Sequence, residues 1–218
     1  MIEIFGGGTV SYVRNHLALC TPAYGSTARA LARLFLEKGV PAAQVRLNLT
    51  RMADPQGATL ETNEDVAERL DQVLDNPSTR VIIFNVALCD YSGQIGEVPS
   101  GKYAERLSSR EGAVTMALTP QDKLLARVRQ RRPDILLVGF KTTAGASEAR
   151  QLELAHRQFQ ETGAQLVLAN DTRTRHNLLV QNEDGTADYV CHKSANRAAI
   201  IRLLAEQVLQ QLGVSEDV

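Results

Sequence analysis

The stretch Arg80-Val81-Ile82-Ile83-Phe84-Asn85-Val86-Ala87 is a near-continuous apolar run. Its length and its β-branched content suit a strand, and the lack of polar alternation predicts one covered on both faces, as in a parallel sheet. Upstream, Ile2-Glu3-Ile4-Phe5 reads as a first strand ending at Gly6-Gly7-Gly8-Thr9, and residues 44–49 alternate as a half-buried strand would. Downstream, residues 134–139 and 165–170 are two further apolar runs. Helical spacing fills the gaps at 26–38 (closed by Gly39), 63–74 (with Asn63 as N-cap), 147–163 and 194–212. Thr119-Pro120 is expected to open one more helix, with Pro in its first turn. Residues 177–180 and 187–191 flank Asn182-Glu183-Asp184-Gly185, a hairpin signal. Strands alternating with helices predict an α/β fold: a doubly wound, mainly parallel Rossmann-like sheet with a C-terminal antiparallel hairpin. With no repeat or linker in 218 residues, residues 1–218 are expected to form a single domain.

The composition narrows the functional classes. Apolar residues make up 44% and charged residues 22%, and 24 Lys plus Arg stand against 25 Asp plus Glu, a formal net charge of −1. That balance offers no electrostatic footprint for nucleic acid or an anionic membrane, and ten aromatic rings without a Trp make a poor base-stacking platform. The longest apolar runs fall far short of the roughly 20 residues that span a bilayer. No basic start followed by a long apolar stretch opens the chain, and Cys20, Cys89 and Cys191 are odd in number and scattered, so a reduced, cytoplasmic protein is expected. The four His show no ligand spacing, so no metal site built by the protein is expected.

In an open α/β sheet, ligands bind beyond the carboxyl ends of the strands. That nominates residues 6–9, 85–91, 139–143 and 169–172. Gly6-Gly7-Gly8-Thr9 would let backbone N–H groups approach a phosphate, although it is not the Gly-x-Gly-x-x-Gly fingerprint and a bare tight turn reads the same way. Asp90 could accept from a base or ribose, or hold a metal, or simply begin a solvated loop. Residues 90–112, rich in Gly, Ser and charge, read as one long mobile loop. Within it Lys102 could neutralise a phosphate as the loop closes, or be an isolated surface Lys. Cys89 has no His near it in sequence to activate it.

Several of these strand ends, in this order, resemble the phosphopantothenate–cysteine ligase family, the synthetase half of the coenzyme A flavoproteins. Gly6-Gly7-Gly8-Thr9 is similar to its first-strand Gly-Gly-Thr, and Val86-Ala87-Leu88-Cys89-Asp90-Tyr91 to its Ala-Val-Ala-Asp-Tyr segment. Leu137-Val138-Gly139-Phe140 resembles its Val-Gly-Phe strand end, Leu168-Ala169-Asn170-Asp171 its Val-Ala-Asn-Asp, and Lys193-Ser194 the start of its last helix. The resemblance implies that CTP (or ATP) activates a carboxylate such as phosphopantothenate as an acyl-nucleotidylate. An amine such as cysteine then displaces the nucleotide. It implies Mg2+ held mainly by phosphate oxygens, no flavin, a homodimer, and small-molecule partners, with no nucleic acid and no membrane.

The same resemblance implies a nucleotide site made of Gly7, Gly8, Thr9, Asn85, Asp90, Pro120, Asp122, Phe140, Arg157 and Asn170. It places the loop cation at Lys102, with Arg106 as the alternative. The family carries Asn-x-Ser-Ser-Gly ahead of its first helix; here Ala18 stands at the Asn position and Cys20-Thr21-Pro22 where Ser-Ser-Gly belongs. Asn15 could substitute through a shift of that loop. On the helix before the fifth strand Arg157 is present, but Gln158 and Thr162 stand at the other positions expected to be basic. A nucleotide- or small-molecule-binding module without ligase turnover is the alternative reading.

Overall fold

The computed structural model describes residues 1–182 and 189–213. Its strands are β1 (Ile2–Gly8), β2 (Val10–Arg14), β3 (Leu17–Cys20), β4 (Val45–Leu49), β5 (Val81–Ala87), β6 (Tyr91–Ile95), β7 (Met116–Pro120), β8 (Leu136–Thr143), β9 (Leu166–Asp171), β10 (Asn177–Asn182) and β11 (Tyr189–Ser194). Its helices are α1 (Ser26–Glu37), α2 (Asn63–Asp75), α3 (Leu125–Arg131), α4 (Glu148–Thr162) and α5 (Arg197–Gln211).

Seven strands form the central sheet in the order β11-β10-β9-β8-β5-β1-β4. The five strands from β4 to β9 pair in parallel, and β10 and β11 continue the sheet antiparallel. The α/β expectation therefore holds, including the C-terminal hairpin. The turn residues 183–188 of that hairpin lie outside the described residues. Because β4 and β5 fall on opposite sides of β1, the winding reverses there, and the crevice between the carboxyl ends of β1 and β5 is where this fold accepts ligands.

Two apolar clusters sandwich the sheet. On one face Ile2, Ile4, Val81, Ile83, Val138 and Leu168 pack under Ala28, Leu31 and Phe35 of α1 and Leu204 and Val208 of α5. On the other, Phe5, Ile82, Phe84, Leu137 and Val167 pack under Val66 and Leu70 of α2, Val128 of α3 and Phe159 of α4. The double coverage explains why β5 shows no polar alternation in its first four residues, all of them buried.

Several local expectations need correction. Gly6, Gly7 and Gly8 do not end the first strand but belong to it, paired with Asn85, Val86 and Ala87. Thr62, not Asn63, caps α2: its hydroxyl accepts from the Asp65 N–H while the Asp65 carboxylate accepts from the Thr62 N–H, a reciprocal cap. Residues 90–112 are not one loop. Tyr91–Ile95 pairs with Met116–Pro120 as an antiparallel hairpin. Pro120 thus ends an edge strand, where no ladder N–H is asked of it, and the following helix begins only at Leu125. A second hairpin, β2–β3, follows directly on β1.

Candidate functional site

Side chains alternate along a strand, so residues two apart share a face. The odd positions Val81 and Ile83, and the even positions Ile2, Ile4, Leu136, Val138, Leu166 and Leu168, face α1 and α5. Counting on by twos puts Gly6 and Gly8, Asn85, Phe140 and Thr142, and Asn170 on that face, at the carboxyl ends of four adjacent strands. Phe140 packs against the cluster there, and the Thr142 hydroxyl donates to Asn170 Oδ1 at 3.2 Å. Asn85, Phe140 and Asn170 are each half-buried. The row crosses the β1/β5 switch point.

The glycines at the head of this row let other segments of the chain pack closely on the strand. Gly7 has φ +104°, and a Cβ on it would stand 2.1 Å from Thr50 Oγ1. A Cβ on Gly8 would stand 1.9 Å from the Thr21 carbonyl oxygen. A side chain at either position would thus meet the segments around residues 21–23 and 50–53.

Thr9, fully buried, is also occupied. Its hydroxyl donates to Asn63 Oδ1 at 2.6 Å and accepts from the Cys89 N–H at 2.9 Å. Asn63 Nδ2 donates to the Cys89 carbonyl at 2.8 Å, and the Cys89 thiol donates to the Thr9 carbonyl at 3.3 Å. This knot satisfies the main chain of Cys89 where the chain leaves the sheet, a place where an unpaired N–H would be costly. Cys89 is a structural thiol here.

Above the edge, the β2–β3 and β6–β7 hairpins pack on each other, with buried Arg14 donating to the Ile95 carbonyl at 2.5 Å. Asn15 sits in the β2–β3 turn, exposed, its N–H donating to the Ala104 carbonyl at 3.1 Å. Lys102 pairs with Glu61, forty-one positions away, and its ammonium stands 5.3 Å from the Tyr12 ring centroid. Tyr12 donates to the other Glu61 oxygen at 2.8 Å. The hydrogen bond that Lys102 donates to the Glu61 carboxylate raises the Lys102 pKa. Burial would raise the Glu61 pKa, but Lys102 and Tyr12 together hold it below its ordinary value. The partner that no neighbouring sequence offered Lys102 comes from the start of α2. Arg106 is exposed.

Asp90 and Lys123 form an exposed ion pair, and the Asp90 carbonyl accepts from the Gln121 N–H at 2.9 Å. Pro120 and Asp122, both exposed, flank this contact, so Asp90, Pro120 and Asp122 are brought together. Arg157 is not. It lies on α4, which covers the opposite face, and pairs outward with Glu161 at 2.6 Å. It also sits roughly 14 Å down the helix axis from the carboxyl edge, at 1.5 Å rise per residue.

Asp171, at the end of the nominated strand β9, has a structural role that the sequence reading did not assign it. Its buried carboxylate accepts from the main-chain N–H groups of Arg173, Thr174 and Ala146 and from the Thr143 hydroxyl. Burial pushes its pKa up, but the N–H groups of Thr174, Gly145 and Ala146, with Thr143, more than reverse this and hold it far below the usual carboxylate range. One carboxylate thereby fixes the loops after β8 and β9, and with them Thr142 and Asn170. Its bonds to Arg173 and Thr174 are local, whereas those to Thr143 and Ala146 come from a remote loop that the sequence does not point to. Glu61 was equally silent, whereas the Thr62-x-x-Asp65 capping pattern could have placed the start of α2.

No group of three or more His, Cys, Asp or Glu among the described residues could hold a metal ion. The acidic groups nearest the row, Asp90 and Asp171, are committed to Lys123 and to main-chain N–H groups.

No family model matches the chain. In sequence it is 26% identical over 173 residues to the coenzyme A biosynthesis bifunctional protein CoaBC of Thermococcus kodakarensis, covering 78% of this chain and 40% of that one. The chain thus spans less than half the length of this relative. In fold it is similar to the DNA/pantothenate metabolism flavoprotein of Streptococcus pneumoniae (TM-score 0.76, 18% identity, 96% and 98% of the two chains). It is also similar to the C-terminal domain of CoaBC (TM-score 0.69, 19% identity, 98% and 96%). A Cab2 variant in complex with phosphopantothenate-cysteine aligns at TM-score 0.63 and 15% identity, over 96% of this chain and 85% of that one. By sequence the chain is a homologue of CoaBC, by fold it is similar to the C-terminal domain of CoaBC, and the resemblance first carried by its strand ends to the phosphopantothenate–cysteine ligase family stands.

Proposed function

We propose that this chain is a ligase of coenzyme A biosynthesis that activates a carboxylate, phosphopantothenate or a related acid, with CTP or ATP. A carboxylate oxygen attacks the α-phosphorus and pyrophosphate leaves; the amine of an acceptor such as cysteine then attacks the carbonyl and the nucleotide monophosphate leaves. The observation that carries this reading is the row of Asn85, Phe140 and Asn170 across the β1/β5 switch point, in a homologue of CoaBC. In this reading Phe140 and the strand ends receive the nucleotide, and Asp90 takes up its ribose or base from above. Gly7, Gly8 and Thr9 shape the floor, and Asn15, Lys102 or Arg106 on the hairpin side meet the reacting phosphates.

Loop cations there act by offsetting charge on the departing pyrophosphate, not by forming a bond to substrate. Mg2+ comes with the nucleotide as part of the substrate, and no flavin is used. A homodimer is part of the proposal, supported by β11 lying at an open edge of the sheet, as is residence in the cytoplasm.

The test is incubation with CTP or ATP, Mg2+, phosphopantothenate and cysteine. Acid-dependent pyrophosphate release and a new amide support the ligase. The binding-module reading is favoured by Ala18 at the expected Asn position and by the outward Arg157. Nucleotide binding without pyrophosphate release, across a panel of acids, decides for it.

A further inference from the structure

Between α1 and α5 runs a cleft of about 460 Å³, within the size range of small-molecule sites. No residue of the sheet lines it. Three guanidinium groups do: Arg33 from α1, and Arg197 and Arg202 from α5, against one carboxylate, Glu37.

Some arginines of the chain are held by carboxylates, and others, such as buried Arg14, by main-chain carbonyls alone. Arg131, Arg132, Arg150 and Arg157 each hold a carboxylate. Arg33 and Arg202 make no hydrogen bond or ion pair among the described residues. Arg197 is half-buried, yet its partners are neutral: Asn177 Oδ1 at 3.1 Å and Thr27 Oγ1 at 2.9 Å. Those bonds use two of its five N–H groups. A half-buried cation without an anion leaves room for one, and its partial burial lowers the Arg197 pKa. Ala30 and Ile201 give the cleft an apolar wall between the cations.

We propose that the cleft between α1 and α5 binds a small phosphate-bearing molecule, its phosphate held by Arg33, Arg197 and Arg202 and its body resting on Ala30 and Ile201. Planar guanidinium forks match phosphate oxygens in pairs, and a dianion answers the surplus of positive charge that Glu37 leaves. A nucleic acid fits poorly, because the cations line one cleft between two helices in a chain of net charge −1. The site is separate from the strand-edge row and does not depend on the ligase reading.

The test is calorimetric titration of the full chain with inorganic pyrophosphate, and separately with inorganic phosphate, without Mg2+. Pyrophosphate is expected to bind the wild type, with Kd rising about tenfold or more in Arg33→Ala/Arg202→Ala, since each charge-assisted hydrogen bond is worth that order. Both positions are exposed, so the variant should fold. Arg150→Ala, which removes a cation elsewhere, is expected to leave the affinity unchanged. Glu37→Gln should tighten binding. CTP binding at the strand edge should survive Arg33→Ala/Arg202→Ala. No pyrophosphate binding by the wild type overturns the proposal. So does binding that Lys102→Ala abolishes while Arg33→Ala/Arg202→Ala leaves it intact, which would put the anion at the strand edge.

Discussion

Cys89 and Asp90 are consecutive, yet they sit in opposite regimes. Cys89 is 3% exposed, and its main chain is gripped by Thr9 and Asn63. The Asp90 side chain is 68% exposed, and its Lys123 partner 72%. Both contacts are polar and both hold the same exit from β5, but only the first has no water to fall back on. Losing a partner in the knot leaves a buried main-chain group unpaired, whereas losing the ion pair exposes two groups that water already solvates. Stability is therefore expected to reside in the knot, leaving Asp90 available for a ligand.

Substitutions can break this contrast, and the largest effect is expected nearest the buried side. Gly8→Ala drives a methyl into the Thr21 carbonyl, a main-chain group that cannot swing aside as the nearby Met52 side chain can, and should cost about 3 kcal/mol. Urea unfolding measures it, and an unchanged midpoint would show that residues 21–23 retreat freely. Asn63→Ala should cost about 2 kcal/mol by the same assay, because the Cys89 carbonyl loses its donor.

Asp171→Asn comes next, and its signature is pH dependence. The folded pKa of Asp171 lies below its unfolded value near 3.9, so its stabilisation is complete above about pH 4 and drains away as the pH falls further. Wild type should exceed the variant in stability at neutral pH, with the gap closing below pH 4; a gap that stays constant down to pH 2 would discount the carboxylate's charge.

Asp90→Asn should change stability by no more than about 0.5 kcal/mol while weakening CTP binding in a calorimetric titration. A large loss of stability with unaltered CTP affinity would reverse the contrast. Smallest in stability is Lys102→Ala. It should lower turnover more than nucleotide affinity, since a cation acting on departing phosphate is felt in the transition state. If Arg106→Ala shows that pattern instead, the cation lies four residues further along.

The same contrast explains what could be read in advance. The buried strands β1, β5, β8 and β9 announce themselves because coverage on both faces demands unbroken apolar runs. The hairpins do not. Tyr91–Ile95 contains Gly93 and Gln94 and finds its partner about twenty residues on, so nothing local marks it as a strand. Gly93 is there for contact: a Cβ would stand 2.6 Å from Met116 Sδ and 2.9 Å from Val13 Cγ2. The row Asn85, Phe140 and Asn170 was legible, because strand ends can be counted. The roles of Asn63 and Asp171 were not, because Asn63 answers the main chain of Cys89 and Asp171 ties its own turn to the remote loop of Thr143 and Ala146.

The packing of α5 on α1 also bears on how the chain comes off the ribosome. β4, β1 and β5, with α1 and α2, are complete within the first ninety residues. At about 5–20 residues per second, the remaining translation takes several seconds or more. During that interval Ala28, Leu31 and Phe35 have the sheet on one side, but Leu204 and Val208 of the final helix have not yet been made. A nascent chain stalled before residue 197 would thus present a greasy flank where the finished protein has a helix, a surface for chaperones to cover.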